Sequence, residues 1–436
     1  QLLRRWEVRG SLSFNKMRGF SRLLPIPMRI DQTTMKFNTN DITLTNAHLH
    51  LGKSDFMLNG EINRIRQAML RGGKLRGNFS LTSDYIDCNQ LMKAMNSGMQ
   101  YSEQHLATAG QSVMDEESFV TMDTHTLQDS IATATLDTTD RVFVIPANLD
   151  ITLHTNAQKI DFKDAELTNV LGEVIIRDQS INLSNLKMDS NIGRGNMTMF
   201  YTAKDYSGAS AGFDLDMEDV MVEKLIGLYP AIDTLVPMLR SFEGVVDCQV
   251  TATCKMDSTM SLKLPSLHSA CYLHGENMVL LDGETFTEIS KTLMFKNKKR
   301  NVIDSISVDL AIKDNKIEVF PFLVEMDRYK VAVGGTHNLD MTFNYHLSVL
   351  KSPVPFKLGI DITGNLDDFK YKIVKCRYKD LFKPAKEAEL DSTRTNVRKE
   401  IRESIRNQIK ETAPELVSSL SPNHTVTPPE GETNAL

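Results

Sequence analysis

The chain has 436 residues, of which 41% are hydrophobic, and its formal net charge is -6. This length allows two or three domains with a sizeable core, and the acidic balance argues against a nucleic-acid-binding protein. No run of 18 apolar residues occurs, so the sequence predicts no membrane-spanning helix. The chain is charged from Arg4 onward and begins without Met or a signal peptide. We therefore expect a piece of a longer polypeptide, with any N-terminal anchor outside it.

One pattern of apolar residues occurs three times along the chain. In each copy, an apolar-x-apolar pair is followed by four turn residues (NTND, RDQS or KDNK). Ile-x-Leu or Ile-x-Val comes next, and then two residues and another apolar-x-apolar pair. The anchoring isoleucines are Ile42, Ile181 and Ile317, so consecutive copies are 139 and 136 residues apart. Such self-similarity indicates a repeat architecture, here a large multi-stranded unit used about two and a half times.

Each copy predicts mainly β-structure, because apolar and polar residues alternate with a period of two. The Asn- and Asp-rich linkers favour tight hairpin turns. After Leu44, Leu183 and Val319, the apolar residues shift to the opposite parity. On a regular strand this shift would turn them to the other face, so it predicts a β-bulge or bend at the same point of each copy.

These patterns divide the chain into six segments. We predict a first β repeat unit over 1–90, an acidic, loosely ordered insertion over 91–140, a second β unit with short helices over 141–245, a third β unit over 246–382, a charged amphipathic helix over 383–412, and a disordered tail over 413–436. The insertion is assigned from residues 101–140, which carry eight acidic residues and no Lys or Arg and offer little periodic apolar surface. The fold class is therefore mainly β.

The helix near the C-terminus has a narrow apolar stripe. Val397, Ile401, Ile405 and Ile409 recur at intervals of four, flanked by Arg and Lys residues. This pattern fits a helix docked on the end of the domain. It also fits a basic helix at a membrane surface or a helix that binds a partner.

Local motifs do not assemble into a catalytic or metal site. The GASAG motif around Ser210 resembles a hydrolase nucleophile elbow, but a polar segment precedes it and an alternating segment follows, so we predict a hairpin turn there. His48 and His50 can share a strand face, yet no third ligand is near in sequence. His268, Cys271 and His274 differ in strand parity and would not converge.

The five cysteines form no CxxC pair and predict isolated thiols. The sequence thus predicts no enzyme, no catalytic residues, no metal and no cofactor. The repeated apolar alternation is then the candidate working part. Two closed sheets would use it as an ordinary core, whereas one curled, open sheet would use it to line a groove suited to acyl chains. The candidate groove residues are Ile42, Leu44, Ile181, Leu183, Ile317, Val319, Val331 and Val333.

A family resemblance favours the groove. Residues 275–382 resemble the C-terminal region of AsmA-family proteins in the form carried by Bacteroidetes. The telling segments are GENMVLLDGETFTEISKTLMF, NYHLSVLKSPVPFKLGIDITGNLDDFKYKI and IKDNKIEVFPFLVEMDRYKVAVGG. Residues 141–270 resemble the preceding part of that region less specifically, and 1–90 resemble an earlier unit.

The resemblance implies an elongated, repetitive, curved antiparallel sheet with a hydrophobic groove, related in architecture to TamB and to bridge-like lipid transfer proteins. It implies a periplasmic envelope protein of a Gram-negative bacterium, tethered to the inner membrane by an N-terminal helix absent from this chain. The implied function is phospholipid handling between the inner and outer membranes in outer-membrane biogenesis. The alternative is a scaffold or assembly factor for outer-membrane proteins that acts by pairing at a sheet edge.

Overall fold

The computed structural model describes most of the chain. The described residues are 7–21, 24–71, 73–95, 97–98, 119–120, 142–162, 165–224, 242–281, 300–326, 329–338, 342–353, 357–365 and 368–417. Nearly all of the predicted acidic insertion over 91–140 lies outside these residues. So does 225–240, which is most of the segment of the second unit (219–240) where the sequence predicts short helices.

The described residues form 23 strands in one sheet. The N-terminal strands are β1 (Arg9–Phe14), β2 (Met17–Ser21), β3 (Leu24–Ile30), β4 (Thr33–Asn38), β5 (Ile42–Leu51), β6 (Ser54–Asn63), β7 (Leu75–Ser83), β8 (Ile86–Asp87) and β9 (Phe119–Val120). The middle strands are β10 (Leu149–Phe162), β11 (Ala165–Arg177), β12 (Ser180–Ser190), β13 (Arg194–Asp205), β14 (Gly208–Met221), β15 (Phe242–Glu243) and β16 (Val245–Asp257). The C-terminal strands are β17 (His268–Leu281), β18 (Arg300–Lys313), β19 (Lys316–Met326), β20 (Tyr329–Asn338), β21 (Phe343–Lys351), β22 (Leu358–Gly364) and β23 (Phe369–Val374).

The sheet is long, curved and open. From β10 to β23 each strand pairs antiparallel with the next in chain order, with β15 and β16 together serving as one strand between β14 and β17. The sheet does not close into a barrel. At about 4.8 Å between neighbouring strands, its 18 successive strand positions give a contour of roughly 80 Å. The expected elongated, curved and mainly antiparallel sheet is therefore confirmed.

A parallel junction joins the first unit to the second. Strand β10 pairs parallel with β7 and β8, while its other edge pairs antiparallel with β11. Parallel neighbours need a crossover connection, and here the connection runs between Asp87 and Leu149. The sheet therefore continues without a break from the first repeat unit into the second.

The turns and bulges match the repeated sequence pattern. Positive φ angles at Asp178 and Gln179, and at Asp314 and Asn315, close two-residue hairpins between paired strands. Register shifts occur at each of the three predicted points, between Leu44 and Ala47, between Leu183 and Leu186, and between Val319 and Phe322. Both predictions are confirmed, and each bulge returns the apolar side chains to the face they occupied before the shift.

Asparagine supplies the left-handed residue in two of these bulges. Asn46 has φ 50° and Asn185 has φ 48°, a region that Asn tolerates better than branched residues do. We expect Asn185→Val to lower the free energy of unfolding by about 1–2 kcal/mol, while Asn185→Gly is close to neutral. Urea unfolding measures both, and Lys187→Val, at an exposed position of the same strand, is the control. Equal stability of the Asn185→Val and Asn185→Gly variants would contradict this account.

The helices of the described residues lie outside the sheet. They include α1 (Ile65–Arg71), α2 (Pro384–Thr412) and α3 (Pro414–Val417), with one 3₁₀ turn at Leu264–Ser266. Helix α2 matches the helix predicted near the C-terminus. In α3, Leu416 is buried, so the ordered chain extends past the predicted start of the disordered tail at residue 413. Residues 418–436 lie outside the described part of the chain.

Candidate functional site

Strand register places a row of mostly apolar side chains across the whole sheet. Residues whose Cα atoms are paired on neighbouring strands direct their side chains to the same face of a sheet. The strand pairings therefore identify the residues of this row directly. It comprises Leu12, Met35, Leu44, Gly60, Phe79, Leu153, Val174, Leu183, Met199, Phe213, Ala252, Ser269, Ile312, Ile317, His337, Phe343, Gly364 and Phe369. We call the side of the sheet that carries this row the apolar face.

All eight candidate groove residues lie on the apolar face. Leu44, Leu183 and Ile317 belong to the row itself, and the others stand two or more residues away on the same strands or their partners. Ile317 and Val319 are buried, while the remaining six are half-buried. The repeat pattern therefore identified positions that share one surface.

The exposure of the apolar face varies along the sheet. Central side chains pack with their neighbours, and Ile317 is 2% exposed. At the ends, Leu12 on β1 is 41% exposed, while Tyr371 and Ile373 on β23 are 49% and 60% exposed. Contiguous exposed apolar surface on a soluble protein marks a binding site more often than isolated apolar residues do.

The opposite side of the sheet, which we call the polar face, has a different composition. Successive Cα partners on this face form a second row, which comprises Thr198, Asp214, Thr251, Ala270, Ala311, Glu318, Thr336, Asn344, Thr363 and Lys370. This alternation is what antiparallel sheets show when one face is wet and the other is apolar. Here the sheet extends this alternation over the ten strands that the polar row crosses.

Helix α2 lies against the polar face. Its buried residues Ile401, Ile405 and Ile409 form a small cluster with three sheet residues and with two residues just beyond the helix, namely Ile175, Phe200, Ala270, Ala413 and Leu416. Because this helix occupies the polar face, it does not cover the apolar one. Of the three roles that the sequence left open for this helix, the structure shows docking on the domain.

Three arginines of α2 pair with carboxylates of the sheet. Arg398 Nη2 donates to Asp309 Oδ1 at 2.5 Å, and Arg402 Nε donates to Asp214 Oδ1 at 2.8 Å. Arg394 lies farther away, with its Nε 3.7 Å from Asp309 Oδ2. The spacing of four residues puts all three guanidinium groups on the side of the helix that faces the sheet.

Burial dominates the ionisation of these carboxylates. Desolvation raises the pKa of Asp309, and this effect outweighs the opposing attraction of Arg398 and Arg394. The pKa of Asp214 is raised for the same reason, against the attraction of Arg402. The Nε atoms of Arg394 and Arg398 are buried and make no hydrogen bond, so the pairing of these two arginines with Asp309 is geometrically incomplete.

This arrangement predicts how stability depends on pH. The pKa of Asp309 is higher in the folded state than its ordinary value of 3.8. The folded protein therefore binds more protons, and the stabilisation by Asp309, complete at low pH, is lost as pH rises through its raised pKa. Compared with Asp309→Asn, the unmodified protein is expected to lose more stability between pH 4 and pH 7 in urea titrations. If it instead gains stability relative to the variant over this range, the direction is wrong.

The structure also brings together a serine, a histidine and an aspartate that sequence reasoning missed. His346 Nδ1 lies 2.6 Å from Asp361 Oδ1, and His346 Nε2 lies 2.9 Å from Ser348 Oγ. Ser348 is fully buried, and its hydroxyl accepts the backbone N–H of Tyr378 at 3.0 Å. These contacts have the serine–histidine–aspartate order of a catalytic triad. The buried Ser348 hydroxyl, however, offers a substrate no exposed nucleophile. It anchors the segment that leads to α2, and only the His-x-Ser spacing on β21 hinted at it.

The remaining motifs have structural roles. Ser210 lies within β14, opposite Thr202 and just after a hairpin turn, so the GASAG motif forms no strand-to-helix elbow. Cys271 points to the apolar face, whereas His268 and His274 point to the polar face, as their parity predicted. All five cysteines are free thiols.

Comparisons of this chain with protein-family models, with curated proteins and with solved structures found no match. Within the described residues, no helix combines the length and the apolar character needed to cross a membrane.

Proposed function

We propose that the apolar face binds the acyl chains of phospholipids. The observation that carries the proposal is the row of mostly apolar side chains that crosses every strand position from β1 to β23. Acyl chains require only continuous apolar surface, and each buried methylene contributes about 0.8 kcal/mol.

The mode of action follows from this surface. Strands of 10–14 residues, such as β6 and β10, span roughly 33–48 Å at 3.3–3.4 Å per residue. An acyl chain can therefore lie along a strand with its head group in solvent, and it can move to a neighbouring strand over a face on which most side chains are apolar. The role is passive and non-enzymatic, and it is consistent with the absence of an exposed nucleophile in the Ser348 cluster.

The resemblance of residues 275–382 to AsmA-family proteins supports a cellular context. We propose that the chain is the periplasmic part of an AsmA-like envelope protein, tethered to the inner membrane. There it would handle phospholipid between the inner and outer membranes and support outer-membrane biogenesis. Its partners would be phospholipid and the two membranes.

Lipid analysis tests the proposal. The full chain, purified without detergent and extracted with organic solvent, is expected to yield phospholipid in a reproducible molar ratio by mass spectrometry. Fluorescent phospholipid should also transfer to the purified chain from vesicles. Phospholipid-free protein that accepts no labelled lipid would overturn the proposal.

A second candidate is assembly of outer-membrane proteins by strand pairing. It is favoured by β23, whose outer edge has no partner strand within the described part of the chain. Exposed Tyr371 and Ile373 on this strand add an apolar contact beside the free backbone groups. A photo-crosslinker at Lys370 that captures an outer-membrane protein, in preparations without bound phospholipid, would favour this candidate over lipid binding.

A further inference from the structure

A cluster of two histidines and one aspartate lies on the polar side of the sheet, near its N-terminal end. His48 and His50 stand two apart on β5, and Leu49 between them packs into the apolar cluster on the other face. Asp31 lies in the irregular link between β3 and β4. The sequence offered no third ligand, because Asp31 is 17 residues before His48.

Sheet pairing brings the aspartate to the histidines. Arg29 pairs with His50 and Ile30 pairs with Leu49, which sets Asp31 beside His48. The backbone N–H of Asp31 donates to the carbonyl oxygen of His48 at 2.8 Å, and this bond fixes the register at the cluster. The side chain of Asp31 is thereby held on the same face as both imidazoles.

The three side chains converge within reach of one metal ion. One ligand atom from each of Asp31, His48 and His50 lies within 4.8 Å of the other two. His50 Nε2 is 3.2 Å from Asp31 Oδ2. Two ligands at about 2.0–2.1 Å from a tetrahedral zinc ion are separated by about 3.3 Å, so this pair already has the spacing of a shared metal.

The hydrogen bonding of His50 supports a ligand role. Its Nε2 atom is buried, yet it makes no hydrogen bond, although the Asp31 carboxylate is close by. A buried polar atom without a partner calls for an explanation. A cation between His50 Nε2 and the Asp31 carboxylate would bind both groups. The direct contact between them does not, because its geometry is too poor for a hydrogen bond.

Two neighbouring charged residues, Arg29 and Asp55, bear on whether Asp31 is free to bind a cation. Arg29 Nε is 3.1 Å from Asp31 Oδ2, and its side chain is 45% exposed, so it can move into solvent. Asp55 pairs opposite His50, but its carboxylate accepts the backbone N–H groups of Tyr85 and Asp84. Asp31 is therefore the carboxylate available to complete the set.

We propose that His48, His50 and Asp31 bind a divalent first-row transition metal ion, for which zinc is the test probe. Two imidazoles and one carboxylate are a ligand set that zinc and iron(II) sites use, with the remaining position open to water or another ligand. Bound metal would clip the β3–β4 link to β5. This site is on the opposite face from the proposed lipid surface and is independent of it.

Zinc titration of the chelator-treated full chain, by calorimetry and by competition with a chromogenic chelator, tests the proposal. One equivalent is expected to bind, with affinity at least tenfold lower in His50→Ala and in Asp31→Asn. His154→Ala removes an exposed histidine on β10 and is expected to leave binding unchanged. Arg29→Gln is expected to bind zinc more tightly, because it removes a competing cation.

Thermal unfolding separates coordination from a purely structural role. Zinc is expected to raise the melting temperature of the unmodified chain and of His154→Ala, but not that of His50→Ala. The proposal fails if the unmodified chain has no saturable one-to-one zinc site. It also fails if His50→Ala keeps full affinity, if His154→Ala loses as much, or if Arg29→Gln weakens binding.

Discussion

Replacing Val333 by glutamate is expected to reduce the phospholipid that co-purifies with the chain at least tenfold. Val333 is half-buried on the apolar face, where its Cα partners are Phe322 and Leu347. Val333 packs against the central apolar cluster but keeps part of its side chain exposed, so a carboxylate there can reach water in the lipid-free protein, whereas bound acyl chains would have to cover it. Leaving a charge against hydrocarbon costs several kcal/mol, and about 1.4 kcal/mol already corresponds to a factor of ten. Mass spectrometry of extracted lipid, normalised to protein, measures the effect.

The control for Val333→Glu adds the same charge to the other face. Asn344 is exposed on the polar face of the neighbouring strand β21, so Asn344→Glu is expected to keep its lipid. Val319→Glu is less informative, because Val319 is 8% exposed within a packed cluster and a charge there would also weaken the fold. If both variants are folded and yield equal amounts of lipid, the apolar face is not the lipid-binding surface.

The local features of the sheet were predictable because short-range physics decides them. A hairpin such as the one at Asp314 and Asn315 needs residues that accept positive φ, and the sequence shows them directly. The three shifts in apolar parity required bulges, since any other solution would have exposed half of the apolar side chains. For the same reason, Leu44, Leu183 and Ile317 could be assigned to one face before the structure was known.

The contacts between distant segments were not predictable from one sequence. Asp309 and Asp214 lie 89 and 188 residues before the arginines that bind them. A stripe of isoleucines at intervals of four would look the same on a sheet, a membrane or a partner. The Ser348 cluster and the position of Asp31 beside His48 likewise depend on strand register. Register can be stated only when the neighbouring strands are known.

The placement of α2 on the polar face leads to a second large effect, that of Ile405→Asp. Ile405 is 1% exposed and lies at the centre of the α2 cluster. Truncating a buried isoleucine costs about 2–5 kcal/mol, and an unpaired buried carboxylate adds to that cost. We expect the helix to detach from the sheet. Limited proteolysis within 384–412 should become much faster, and the urea midpoint should fall.

Detachment of α2 also distinguishes the two faces of the sheet. Glu403→Ala, which removes one of an exposed pair with Lys399 on the same helix, is expected to change stability by less than about 0.5 kcal/mol. Because α2 packs on the polar face, the milder Ile405→Ala should loosen the helix and leave phospholipid recovery unchanged. Lipid lost in parallel with helix docking, in protein that keeps its β-sheet circular dichroism, would mean that α2 contributes to lipid binding. Docking and lipid binding would then be coupled through the sheet rather than separated by it.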